Sequence, residues 1–107
     1  MNAKDKSQKF LTFGELMTPF TRVVHCKQEP FDIYIGRPSK WGNPFHIGPD
    51  GTRVEVLAKY AMWIEQQSEL TEALLELDGK VLGCWCAPWY PCHGDILVRL
   101  LARKKEM

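Results

Sequence analysis

No stretch of this 107-residue sequence approaches the ~20 consecutive apolar residues that a bilayer-spanning helix needs, so a transmembrane helix is excluded. No apolar segment follows the lysines of the opening MNAKDKSQKF, so no secretory signal and a cytoplasmic chain with reduced thiols are expected. The net charge is only +1, which gives no global attraction to nucleic acid or to a membrane surface; any such contact must come from a local patch. There is no internal repeat, no Walker sequence and no glycine-rich dinucleotide fingerprint. What remains is an ordinary globular composition, 45% hydrophobic, at a length that suits one domain with its own core.

The chain divides into a loose N-terminal segment, residues 1–20, and a single α/β domain, residues 21–107. Residues 1–9 are polar and lysine-rich, and the apolar stretch from Phe10 to Phe20 is broken by Gly14 and Pro19, leaving a short helix and an extended strip as alternatives. Thr21 to Cys26 reads as a strand from its adjacent valines. Phe31 to Ile35 alternates Phe31, Ile33 and Ile35 on one face with Asp32 and Tyr34 on the other. The short link between these two strands predicts an antiparallel hairpin, because parallel neighbours need a longer crossover. A capping-box pattern, TRVE, starts a helix at Thr52 with Leu57, Tyr60, Ala61 and Ile64 on one stripe. A shorter helix is expected from Glu69 to Leu77, with Leu70, Leu74, Leu75 and Leu77 apolar, stopped by Asp78-Gly79. A third strand spans Lys80 to Cys86, and a last helix Gly94 to Lys105 presents Ile96, Leu97, Leu100 and Leu101 to the core. The strand from Phe31, two helices and the strand from Lys80 form a right-handed parallel crossover. The expected fold is thus a small two- or three-layer α/β domain with a short mixed sheet, an antiparallel hairpin joined to a β-α-β unit, and about three helices.

That topology brings the carboxyl ends of two strands to one edge, where open α/β sheets bind ligands. The loop GRPSKWGNPFHIGPDG leaves one strand there and the turn CWCAPWYPCH leaves the other. His25 and Cys26 end the antiparallel strand and are expected at the opposite edge, outside the site. Within the loop, Arg37 and Lys40 suit a phosphate or carboxylate, Arg37 through its planar fork. Ser39 and Asn43 offer polar contacts, Trp41 a flat face for a base or sugar, and His46 an imidazole that titrates or ligates. The N-terminus of the last helix offers N–H groups to an anion. The alternative is plainer: Trp41 and Phe45 tuck the loop onto the core and the cations stay in solvent.

The turn carries three of the four cysteines in a C-x-C-x5-C-H spacing. Cys84, Cys86, Cys92 and His93 match a tetrahedral zinc set. A second reading makes the cysteines small buried apolar groups, with His93 capping the helix. A third makes Cys92 a reactive thiol at a helix N-terminus beside an imidazole, with His93 and Asp95 sharing the chemistry. All three stay open.

The two blocks, Tyr34 to Phe45 and Cys84 to Asp95, together resemble an uncharacterised bacterial and phage family, domain of unknown function 4326. That family shows a YIGR–S–WGNPF block followed by a CWC–P–CHGD block. The resemblance implies that the blocks work as one site and implies no activity. The functional expectation is a site for a nucleotide or other phosphate-bearing molecule. The alternative is a zinc-stabilised module that binds nucleic acid or protein without catalysis.

Overall fold

Adjacent β-branched residues Val23 and Val24 hold the first strand extended, β1, Arg22–His25. The computed structural model describes residues 21–86 and 89–106, so the expectations for residues 1–20 lie outside the described residues. Two further strands follow, β2 (Ile33–Tyr34) and β3 (Val81–Cys84), in the order β1-β3-β2. Both outer strands run parallel to β3, with Arg22 to His25 opposite Val81 to Cys84 and Ile33-Tyr34 opposite Leu82-Gly83.

The expected hairpin is therefore not formed: β1 and β2 flank β3 and do not pair with each other. The reason is the shortness of the strands. The Cys26 N–H donates to the Cys84 carbonyl on one side of β3, and the Asp32 N–H donates to the Val81 carbonyl on the other. The segment between Cys26 and Asp32 reaches roughly 20 Å when extended. That covers two strand spacings of ~4.8 Å and a step back of about 10 Å along so short a sheet. Gly83 makes the passage possible, since a Cβ there would stand 2.6 Å from the ring of Phe31. Phe31 thus lies beside Tyr34, ring centroids 6.2 Å apart, and not on the face of Ile33 and Ile35 as the alternation predicts.

The parallel crossover from β2 to β3 is present as expected. Helix α1 (Arg53–Glu65) starts with the full capping box. The Glu55 N–H donates to Thr52 Oγ1 at 3.2 Å, and the Thr52 N–H donates to Glu55 Oε1 at 2.8 Å. Those bonds from Thr52 hold the Glu55 carboxyl below the usual carboxylate range. The helix buries Val56, Tyr60 and Ile64. Helix α2 (Ser68–Ala73) runs into a 3-10 turn, Leu74–Leu77. Three residues per turn bring Leu74 and Leu77 to the same side, both buried, and leave Leu75 54% exposed. Helix α3 (His93–Lys105) buries Leu97, Leu100 and Leu101 and ends on Arg103, Lys104 and Lys105, cations that suit its carboxyl end.

Leu82 and Cys84 on one face of β3 join Ile35, Tyr60, Ile64, Leu77 and Leu97 in the main core, between the sheet and the helices. All three strands now end at one edge. His25 lies opposite Cys84 in the ladder, so His25 and Cys26 sit at the same edge as the two motif blocks. The opposite placement followed from the antiparallel hairpin and falls with it.

Candidate functional site

Tyr34 and Cys84, the last residues of β2 and β3, open into a cleft of about 340 Å³. That volume lies at the small end of the range for ligand pockets. The loop contributes Gly36, Arg37, Asn43, Phe45 and Ile47; the start of α1 contributes Arg53, Val56 and Leu57; the turn contributes Cys84, Trp85, Cys86, Pro91 and His93.

The loop is built on two buried side chains. Trp41 is 2% exposed and belongs to the main core, and its carbonyl accepts the Tyr60 hydroxyl at 2.7 Å. Asn43 is also buried; its amide oxygen accepts the Phe45 N–H at 2.8 Å and its amide nitrogen donates to the Val56 carbonyl at 3.2 Å. Between them Arg37 folds back, donating from Nη1 to the Asn43 carbonyl at 3.0 Å. Tyr34 closes the same wall: Trp85 Nε1 donates to its hydroxyl at 2.9 Å, and the hydroxyl donates to the Arg37 carbonyl at 3.1 Å. Gly36 permits this, because a Cβ there would collide with the Tyr34 ring. Across the cleft, Arg53 lies 4.7 Å from the Tyr90 ring centroid and donates from Nη1 to Cys86 Sγ at 3.4 Å, tying the start of α1 to the turn.

The turn delivers a neutral imidazole. His93 is buried, and its Nε2 lies 2.7 Å from the Ile35 carbonyl, which can only accept. The proton is thereby assigned to Nε2, leaving the Nδ1 lone pair 3.7 Å from Cys92 Sγ. Burial, opposed by the bond to Ile35 and helped by the Arg37 charge, holds this imidazole below the usual histidine range. Cys92 caps α3: its sulfur accepts the Gly94 N–H at 3.3 Å, and Asp95 Oδ2 accepts the Cys92 N–H at 3.2 Å. The N–H groups expected to meet an anion are thus partly taken by the cap, and the Asp95 carboxylate beside them repels one. The Cys92 thiol is buried, and its hydrogen bond with Cys84, then burial, push its pKa upward. A helix start and an adjacent imidazole predict the reverse; here desolvation and a second sulfur outweigh them.

Of the residues picked from the sequence, Arg37, Asn43, Cys84, Cys86 and His93 line the cleft. Trp41 is core. Ser39 accepts the Trp41 N–H at 3.3 Å, shaping the loop. Lys40 pairs with Glu76 at 3.1 Å and lies 5.3 Å from the Trp41 ring centroid, away from the cleft lining. His46 is exposed in the small turn where its N–H donates to Asp50. Cys92 and Asp95 serve the cap. Among the described residues no group of three or more His, Cys, Asp or Glu side chains is arranged to hold a metal ion. Cys86 faces Arg53, and the Cys84 and Cys92 sulfurs are 2.9 Å apart, closer than the roughly 3.8 Å that two ~2.3 Å bonds to a tetrahedral zinc would impose.

Arg53, Tyr34 and Trp85 were missed. Arg53 was legible in principle: it is the first residue of a helix whose capping box directly follows the loop, so its side chain starts at the edge.

A family model described as domain of unknown function (DUF4326) matches residues 21–103. An uncharacterised 12.4 kDa protein from the nrdA-td intergenic region of Enterobacteria phage T4 is 40% identical over 87 residues, covering 77% of this chain and 78% of that one. An uncharacterised protein of Acanthamoeba polyphaga mimivirus is 36% identical over 86 residues, covering 64% of this chain and 65% of the relative. No solved structure matches.

Proposed function

The chain belongs to the DUF4326 family, and from that premise we propose that its two motif blocks form one binding site for a small phosphate-bearing ligand, with a nucleotide as the type case. One observation carries the reading. Both blocks line a single cleft whose lining includes Arg37 and Arg53 and no carboxylate residue. Neither arginine takes part in an ion pair among the described residues, whose ion pairs are Arg22–Glu29, Lys40–Glu76, Arg103–Glu65 and Lys105–Asp78. Two cations without a counter-charge, each with a forked donor set, favour a phosphate. Phe45, Ile47, Leu57 and the hydrogen-bonded Tyr34–Trp85 pair supply apolar and aromatic wall for a flat group attached to it. His93 and Cys86 are further polar residues of the lining open to the same ligand.

A second reading has its own observation. Trp85, Trp89 and Tyr90 are each more than half exposed, and Lys27 lies 5.6 Å from the Trp85 ring centroid while Arg53 covers Tyr90. Exposed aromatics interleaved with cations suit the stacked bases of a single strand.

Calorimetric titration with mono-, di- and triphosphate nucleotides and with sugar phosphates, at low and at high salt, separates the two. Saturable binding of one small ligand per chain that changes little with salt is the expected result. Affinity that appears only with oligonucleotides and falls steeply with salt belongs to the second reading. Heat from none of these ligands overturns the first.

A further inference from the structure

We propose that Cys84 and Cys92 form a reversible internal disulfide by exchange with a small-molecule disulfide that enters the cleft. The two sulfurs stand 2.9 Å apart, inside the core, and no disulfide joins them in this structure. They come from different elements that hold them there independently. Cys84 is the last residue of β3, fixed by its register opposite His25, and Cys92 is the N-cap of α3, fixed by its reciprocal bonds with Gly94 and Asp95. Bringing the sulfurs to the ~2.05 Å of a bonded pair takes less than 1 Å of movement, which side-chain rotation supplies. Cys86, the neighbour in sequence, points instead at Arg53, and Cys26, just after β1, donates its backbone N–H to the Cys84 carbonyl.

Access sets the order of events. Cys84 is among the residues that line the cleft and Cys92 is not, but both are buried, at 1% and 2% exposed, so the first attack is expected to be slow. The Cys84 sulfur attacks one sulfur of the incoming disulfide, forming a mixed disulfide and releasing the first small thiol. The Cys92 sulfur then attacks Cys84 of that mixed disulfide and releases the second. One S–S bond breaks and one forms, the two protein thiols lose two electrons, and their two protons leave on the departing thiols. The inference does not rest on the phosphate reading. It concerns the floor of the same cleft, where the new bond would join the end of β3 to the start of α3.

The test uses the full chain incubated with glutathione disulfide, quenched with an alkylating reagent and digested with chymotrypsin after denaturation. Cleavage after Trp85 and Trp89 puts Cys84, Cys86 and Cys92 on three separate fragments. The expected product is a chain lighter by two hydrogens, with the Cys84 and Cys92 fragments linked and the link removed by a dithiol reductant. Cys92→Ser should instead retain one glutathione on Cys84. A wild-type chain whose Cys26 and Cys86 become glutathionylated while Cys84 and Cys92 stay alkylatable would overturn the proposal, as would a link to Cys86. The wild-type map names the bonded pair even where a serine variant fails to fold.

Discussion

Trp41→Ala is expected to cost about 3–5 kcal/mol of folding stability, the range for truncating a buried tryptophan. Total stability for a domain of this size is roughly 5–15 kcal/mol, so the loss is a large share of it. In urea the midpoint should fall by about 2 M, with the slope unchanged. Placement sets the cost. Trp41 is 2% exposed and belongs to the core cluster that also holds Ile35, Tyr60, Leu77 and Leu97, while its carbonyl accepts the Tyr60 hydroxyl. Truncation would leave a cavity under the loop that carries Arg37 and Asn43, and both would lose the fixed geometry that points them at the cleft. Were Trp41 the stacking surface that its place in the loop suggests, its removal would weaken ligand binding and leave the melt untouched. Equilibrium unfolding of the purified variant distinguishes these outcomes. Trp41→Phe, which keeps a ring in the core, should recover part of the loss.

Arg53→Glu is expected to have the largest effect on binding, a loss of about 100-fold or more in affinity for a phosphate-bearing ligand. Removing a hydrogen bond to a charged group accounts for about 1.5–3 kcal/mol, and each 1.4 kcal/mol is tenfold; like-charge repulsion adds to it. The fold should tolerate the change. Arg53 is half-buried at the first turn of α1, and a carboxylate there favours the helix dipole. That gain offsets the lost contacts to Tyr90 and Cys86. Arg53→Lys keeps the charge without the fork and should bind with intermediate affinity. Titration calorimetry beside thermal melts measures both quantities. Equal affinity in wild type and Arg53→Glu, at equal stability, would remove Arg53 from the site.

Local signals carried most of the fold. The Thr52 capping box, the Tyr60–Ile64 stripe and the Leu97–Leu101 face depend on neighbours three and four residues apart, which the sequence displays directly. The strand pairing did not follow from such signals. A short link reads as a hairpin because the crossover rule assumes strands of ordinary length, and nothing local announces strands of four and two residues. The decisive residue was Gly83, whose missing side chain leaves room for Phe31; a glycine within KVLGC gives no hint of which ring will cover it. The same error displaced His25 and Cys26.

The site divides in a similar way. Topology alone brought the GRPSKWGNPF loop and the CWCAPWYPCH turn to one edge, and the cleft lined by both agrees with that inference. Side-chain direction was the part that composition could not supply. Trp41, Ser39 and Asp95 are chemically able residues that burial or capping has committed to structure. Arg53 lies outside both motif blocks and reaches the cleft only because α1 starts there.

The most direct test of the central claim is a ¹⁵N-edited NMR titration of the full chain with the tightest-binding nucleotide of the calorimetric panel. The account predicts saturable shifts confined to residues around the cleft: Gly36, Arg37 and Asn43 from the loop, Arg53 from α1, and Cys86 and His93 from the turn. Saturable shifts concentrated instead on Lys27, Trp89 and the far side of β1, with the loop and Arg53 unmoved, would contradict it.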